Sequence, residues 1–174
     1  ATNPAVVAYD PAFGYEIAHI MQRGLEEMYG EAGDGDAKNL IYYITLYNEP
    51  MVQPTEPERV DAEGIVKGMY LLAPADRSGR EQAPSVQLLG SGVGVPWVLE
   101  AQDLLREDWG VNADVWSVTS WNELRREALA VDKQRFLHPD QQIADPYVTQ
   151  RLSATSGPVV AVSDYMRAVQ DQSL

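Results

Sequence analysis

The stretch from residue 85 to residue 119 most constrains the fold, because it reads as strand, glycine turn, helix and strand. Residues 86–89 are an apolar run of strand length, and Gly-Ser-Gly-Val-Gly at 90–94 allows a sharp turn. A second strand is predicted at 111–119. This order predicts a βαβ unit, hence a parallel sheet with a right-handed crossover. The helix between the strands has apolar residues at a 3.6-residue period, and we expect this apolar face to pack on residues 86–89. The face comprises Trp97, Ala101, Leu104, Leu105 and Trp109.

The glycine turn does not match a known phosphate-binding motif. Gly90 and Gly92 fit the first two positions of G-x-G-x-x-G, but Val95 occupies the third, and no Lys-Ser/Thr pair follows as in a P-loop. Ser91 is also misplaced for the G-x-S-x-G nucleophile elbow. We therefore interpret the turn as structural, although the sequence leaves open whether Ser91 lies near an active site.

Composition excludes several classes of protein. The 174 residues carry a formal net charge of −13, which argues against binding to nucleic acid or to anionic membranes. There is no cysteine, so disulfides and thiolate metal sites are excluded. No apolar run has the length of a membrane span. With 45% hydrophobic residues the chain can bury a sizeable core.

The first 30 residues predict a strand at 5–9 followed by a helix. Asp10 and Pro11 have the chemistry of an N-cap and a first helical residue, and Gly30 suits the C-terminal end. His19 lies off the apolar stripe, which favours a surface or inter-subunit position over a catalytic role. The apolar stripe of this helix comprises Phe13, Ile17, Ile20, Met21 and Met28.

Residues 40–47 form the strongest predicted strand. Their hydrophobicity is nearly continuous, which predicts burial on both faces, in a parallel sheet with residues 5–9. Asn48 and Glu49 follow it, where open α/β sheets bind ligands. A turn that caps the strand explains these two residues equally well.

Prolines and helix-capping residues mark the boundaries of the elements in the rest of the chain. Residues 50–63 contain three prolines among acidic residues and predict an extended linker. Ser120 and Glu123 have capping-box spacing. Asp145 and Pro146 predict a short helix through residue 152, and a last strand is predicted at 159–163. After it, Asp164 is the expected cap of a final helix.

Eight segments, in the same order across nearly the whole chain, resemble the homodimeric type of pyruvate dehydrogenase E1 component. This family uses thiamine diphosphate and is related to transketolase. The matching segments are 9–18 (YDPAFGYEIA), 24–30 (GLEEMYG), 42–49 (YYITLYNE), 63–70 (EGIVKGMY), 86–92 (VQLLGSG), 115–120 (VWSVTS), 137–139 (LHP) and 163–166 (SDYM).

The resemblance implies an α/β fold with parallel, mixed-edge sheets flanked by helices. Residues 1–49 would be the end of a pyrimidine-binding domain, 50–63 a linker, and 64–174 most of a transketolase C-terminal-like domain. Because the chain begins without methionine and ends where a helix begins, we expect it to be an internal piece of a longer protein.

The resemblance assigns no catalytic, cofactor-binding or metal-binding residue to this chain. Family members hold the cofactor diphosphate through Mg²⁺ and a G-D-G…N-N motif in an N-terminal domain. Gly33-Asp34-Gly35 is not that motif, since no Asn-Asn pair follows, and it also fails the EF-hand pattern. We expect a solvated turn there, and no thiamine diphosphate or Mg²⁺ on this piece.

The implied activity of the whole enzyme is oxidative decarboxylation of pyruvate and reductive acetylation of the lipoyl group of E2. The implied partners are a second E1 subunit, which this piece would help to brace, and the E2 dihydrolipoyl acetyltransferase with its lipoyl domain. A cytoplasmic location is implied as well. The alternatives are a non-catalytic α/β scaffold or interaction domain, and another thiamine-dependent 2-oxo acid decarboxylase or transketolase.

Overall fold

The computed structural model describes residues 3–30, 37–48 and 50–172. This part of the chain contains six strands and six helices, which alternate as in an α/β fold except that β3 directly precedes β4 and α4 directly precedes α5. The strands are β1 (Val6–Tyr9), β2 (Ile41–Ile44), β3 (Tyr70–Ala73), β4 (Ser85–Gly90), β5 (Asn112–Ser117) and β6 (Val159–Val162). The helices are α1 (Gly14–Tyr29), α2 (Ala62–Lys67), α3 (Gly94–Trp109), α4 (Trp121–Leu137), α5 (Tyr147–Leu152) and α6 (Arg167–Gln170).

The strands form two sheets. β1 and β2 pair in parallel, with Val6 opposite Ile41, as predicted. The larger sheet has the order β3-β5-β4-β6, in which β4 is parallel to both neighbours. The predicted β4-α3-β5 unit and the last strand are therefore confirmed. The sequence did not predict β3, which joins β5 as an antiparallel edge strand.

The predicted core face of α3 is confirmed only at Ala101 and Leu105, which are partly buried against the cluster that contains Val86 and Leu88. The helix begins at Gly94 and buries Val95 and Val98, of which Val98 packs on the sheet and Val95 packs against Ala12 and Phe13. Trp97, Leu104 and Trp109 are instead 59%, 51% and 77% exposed. The reason is close packing at the turn: a Cβ on Gly90 would lie 2.8 Å from a methyl of Val98, so a glycine at 90 brings that face against the strand.

Strand β4 divides its side chains between two cores, which corrects the expectation that residues 86–89 all pack on α3. Val86 and Leu88 contact Val98. Leu89 points to the opposite face, where its cluster includes Trp116 and Leu124. This division follows from the two-residue period of a strand that is covered on both faces.

Strand β2 is shorter than predicted and is not buried on both faces of this chain. Ile41 and Tyr43 are 60% and 59% exposed, whereas Tyr42 and Ile44 pack on the core of β1. As one of two strands in a small sheet, β2 has one face that the described residues leave largely open.

The two Asp-Pro pairs do not cap helices as predicted. Helix α1 begins at Gly14, four residues after Asp10, and its stripe is only partly buried, with Met21 exposed. Helix α5 is present and ends at Leu152 as predicted, but it begins at Tyr147 with Pro146 as its N-cap residue, and Asp145 pairs with Arg135 at 2.6 Å. In both cases the carboxylate bonds to a distant residue, which the local pattern does not reveal.

At two other helix starts, the predicted caps differ from the structure. Ser120 Oγ accepts the amide of Glu123 at 3.0 Å, but the backbone amide of Ser120 donates to Gly68, so the capping box is not closed. Asp164 does not cap α6, which begins at Arg167 without a side-chain cap. Of the remaining predictions, Gly30 ends α1 as expected, and the Gly33-Asp34-Gly35 loop lies outside the described residues. Within the described ranges, no helix is both long and apolar enough to cross a bilayer.

Leu89→Asp should unfold the larger sheet, because Leu89 is fully buried and the new carboxylate would have no partner. We expect a loss of several kcal/mol, which is comparable to the whole stability of a small domain, roughly 5–15 kcal/mol. Urea unfolding measures the loss.

The matched control is Leu104→Asp, which places the same carboxylate on a half-exposed position of α3. Its unfolding free energy should change by about 0.5 kcal/mol or less. Equal losses in the two variants would show that the core is wrongly assigned.

Candidate functional site

The carboxyl ends of β1, β4 and β5 converge where the two sheets meet. The amide of Asp10, directly after β1, donates to the carbonyl of Thr119 at 2.7 Å. The amide of Gly92, after β4, donates to the carbonyl of Asp10 at 3.1 Å. Since the chain leaves β4 for β5 on one side and reaches β6 on the other, this is a topological switch point, where open α/β sheets bind ligands.

The carboxylate of Asp10 lies at this junction and is only 3% exposed. Its Oδ1 accepts the hydroxyls of Thr45 at 2.5 Å and Tyr47 at 2.6 Å. Within the described ranges, its Oδ2 has no hydrogen-bond partner. Burial, together with this bond to Asp10, raises the pKa of Tyr47 above its ordinary value, so the phenol keeps its proton and remains a donor.

A cavity of about 260 Å³ opens beside Asp10. Four of its nine described lining residues are aromatic, and Asp10 is the acidic residue among the nine. Burial raises the pKa of Tyr165, and the charge of Asp10 adds to this effect. The lining residues are Ala8, Tyr9, Asp10, Tyr43, Ser120, Trp121, Asn122, Tyr165 and Val169.

The glycine turn forms the opposite side of the junction. Ser91 is buried, and its hydroxyl donates to that of Ser163 at 3.0 Å, which ties the end of β4 to the end of β6. Gly92 has φ +49° and lies against the ring of Tyr47. The amides of Gly94 and Val95 already donate to carbonyls of the turn, at 2.9 and 3.2 Å. These amides are therefore not free to hold a phosphate.

Glu16 connects the small sheet to the large one. Its Oε2 accepts the amides of Ala12 and Phe13, at 2.6 and 3.0 Å. Its Oε1 accepts the hydroxyl of Tyr70 on β3 at 2.8 Å and that of Ser117 on β5 at 2.6 Å. Burial raises the pKa of Glu16, and the four donors oppose this rise.

The residues that the sequence indicated are only partly brought together. Asn48 is exposed, and Glu49 lies outside the described residues. His19 has a carboxylate partner after all, since its Nε2 lies 2.8 Å from Glu56 Oε1, in the segment interpreted as a linker. Helical spacing could not reveal that partner, because the two residues are distant in sequence.

Sequence reasoning missed Asp10, which it interpreted as a helix cap. The signal was available: Asp10 is a polar residue directly after a parallel strand, the criterion that was applied to Asn48. Thr45 and Tyr47 were interpreted as parts of a buried strand, whereas β2 ends at Ile44 and leaves both hydroxyls free to reach Asp10.

The fold and the sequence place the chain in a class. Residues 68–174 match the family described as the transketolase-like TK C-terminal domain, and the chain belongs to that family. A transketolase from Pichia stipitis, solved in complex with xylulose 5-phosphate, has the same fold over 94% of this chain and 19% of its own, at a TM-score of 0.57 and 19% identity.

Nearly the whole chain is similar in sequence to one kind of curated protein. The chain is 55% identical over 172 residues to the pyruvate dehydrogenase E1 component of Mycolicibacterium smegmatis, and 51% identical to that of Mycobacterium tuberculosis. Each match covers 99% of this chain and 18% of the relative. The resemblance predicted from the sequence is thus confirmed, for a chain that spans under a fifth of the relatives' length.

Gly92→Ala should destabilise the junction strongly, because the new methyl group would overlap the hydroxyl and ring of Tyr47 while the backbone is held at positive φ. Gly79→Ala is the matched control, since Gly79 also has positive φ but faces open space. We expect roughly 1 kcal/mol for the control and at least about 2 kcal/mol more for Gly92→Ala, from thermal unfolding. Equal losses would contradict the close contact with Tyr47.

Glu16→Gln should also destabilise the fold, by about 1–3 kcal/mol, because the new amide group would face hydrogen-bond donors. The raised pKa gives the loss a pH dependence. Folding disfavours the ionised form, so the wild-type contribution is fully present below the ordinary value of 4.5 and declines as pH rises through the folded value.

The difference in unfolding free energy between wild type and Glu16→Gln should therefore be largest near pH 4 and become smaller toward pH 7. Urea unfolding of both proteins across this range measures this difference. The contributions of the other titrating groups cancel, because both proteins contain them. A difference that grows with pH would mean that the four donors lower the pKa of Glu16.

Proposed function

We propose that this chain is part of a pyruvate dehydrogenase E1 component. The observation that carries the proposal is 55% identity to such a protein over 99% of the chain. The whole enzyme would decarboxylate pyruvate oxidatively and acetylate the lipoyl group of E2 reductively. Its partners would be a second E1 subunit and the dihydrolipoyl acetyltransferase with its lipoyl domain, in the cytoplasm.

Thiamine diphosphate with Mg²⁺ would supply the electron sink for decarboxylation in that enzyme. The residues described here do not fit the group. They contain no cluster of three or more His, Asp or Glu side chains that could hold Mg²⁺. The cavity beside Asp10 has no lysine or arginine in its lining to meet a diphosphate. We therefore derive no catalytic step from this chain's residues.

The role that we propose for the piece is structural. Residues 1–49 would complete a pyrimidine-binding domain, 50–63 would be the linker, and 64–174 would form most of the C-terminal domain. Glu16 supports this role, because its bonds to Tyr70 and Ser117 join the two parts rigidly. Trp97 and Leu104 would contact the rest of the enzyme or the second subunit, since large apolar side chains on one helix face favour an interface.

A chimeric enzyme tests the proposal. This chain would replace the homologous 172-residue segment of the Mycolicibacterium smegmatis E1 component. We expect the chimera to decarboxylate pyruvate within about tenfold of the parent, because a structural piece that is more than half identical should preserve the packing around the active site. A folded chimera that binds thiamine diphosphate but lacks activity would contradict the proposal.

Two controls separate structure from chemistry. In the chimera, Leu89→Asp should remove activity by unfolding, whereas Ser91→Ala should leave turnover within a few-fold, since the Ser91 hydroxyl bonds to Ser163 within the fold. The isolated 174-residue chain should not bind thiamine diphosphate in calorimetry. Micromolar binding to it, or a hundredfold loss of turnover in a folded Ser91→Ala chimera, would place the site in this piece.

A further inference from the structure

The unpaired oxygen of Asp10 marks a site that the role proposed above does not explain. A carboxylate that is 97% buried normally has partners for both oxygens, because each unpaired buried acceptor costs free energy. Here Thr45 and Tyr47 bond Oδ1, and Oδ2 has no partner among the residues that the structure describes. The residue also lines the 260 Å³ cavity, so a ligand that enters the cavity lies next to Asp10.

The chemistry of the lining selects the charge of the ligand. Asp10 is an acidic side chain, and the described residues of the lining include no lysine, arginine or histidine to neutralise it. An anion is disfavoured, since it would meet the carboxylate of Asp10. The first turn of α4 offers an anion little in return, because Ser120 already caps the amide of Glu123 and donates to the carbonyl of Ala8.

The remaining walls suit the body of an organic cation. Tyr9, Tyr43, Trp121 and Tyr165 supply aromatic surface, which attracts ammonium and guanidinium groups through the ring faces and also packs against alkyl chains. Tyr43 is more than half exposed and Tyr165 somewhat less, and both lie at the accessible side of the cavity. An inorganic cation is a poorer fit, because Asp10 would be its single carboxylate ligand there.

We propose that this cavity binds the ammonium or guanidinium group of an organic cation, which pairs with Asp10 while its alkyl stem lies between the aromatic side chains. The group can belong to a free amine or to a lysine or arginine side chain of a protein segment. Both sources present the same chemistry to Asp10.

Binding of n-butylammonium and n-propylguanidinium to the whole 174-residue chain tests the proposal, with chemical shifts of the tyrosine and tryptophan side chains as the readout. We expect saturable binding, with shifts confined to the cavity residues. The neutral 1-butanol and the anionic butyrate have matched stems and should bind at least tenfold more weakly. Equal affinity for 1-butanol would overturn the proposal, because the charge would then contribute nothing.

Asp10→Asn tests the role of the carboxylate, because an asparagine oxygen can still accept the hydroxyls of Thr45 and Tyr47. We expect the affinity for n-butylammonium to fall at least tenfold. Asp164→Asn is the matched control: this exposed carboxylate lies close enough to affect the pKa of Tyr165 but does not line the cavity. The control should change the affinity less than twofold. Equal losses in both variants would contradict the proposal, because the effect would then come from the negative charge of the surface in general and not from Asp10.

Tyr165→Ala keeps the test valid if Asp10→Asn fails to fold. It removes a partly exposed wall of the cavity and should weaken n-butylammonium binding several-fold; an unchanged affinity would overturn the site. Blocked lysine and arginine amides then distinguish the sources. Affinity equal to that of the free amines supports a protein side chain as the occupant, and tighter binding of the free amines supports a small molecule.

Discussion

The buried carboxylate of Glu16 is the interaction on which the rest of the structure depends. It accepts four hydrogen bonds, two from the chain that enters α1 and two from strands of the larger sheet. A buried carboxylate is costly unless it is fully bonded, so this arrangement fixes α1 relative to β3 and β5. The two sheets, which share no strand pairing, are held as one unit by polar bonds as well as by apolar packing.

That fixed relation brings the carboxyl ends of β1, β4 and β5 to one place. The glycine turn after β4 lies against Tyr47, and Tyr47 in turn bonds to Asp10. The cavity beside Asp10 is thus formed by residues from both parts of the chain and by neither part alone. Its negative charge is consistent with the acidic composition, but its aromatic walls are specific to this place.

The exposed apolar residues bear on the proposed role in a larger enzyme. Helix α3 packs Val98 on the sheet and Val95 against Ala12 and Phe13, and it presents Trp97 and Leu104 on another side. A helix that is apolar on more than one side is typical of one that lies between two packed surfaces. The open face of β2 also exposes large apolar side chains. Both surfaces are consistent with a chain that spans 18% of its relatives' length.

The sequence by itself determined the class of fold, the parallel β4-α3-β5 unit, the pairing of β1 with β2 and the family resemblance. These follow from local periodicity, turn chemistry and motif order, which need no knowledge of distant contacts. It did not determine which side of α3 is buried, because two apolar stripes of similar strength compete on that helix. Only the tertiary structure decided that Asp10 bonds to Thr45 and Tyr47 rather than capping α1, and that Glu16 reaches Tyr70 and Ser117. A polar side chain bonds to whichever donors the packed fold brings near, and those donors lie more than 30 residues away in sequence.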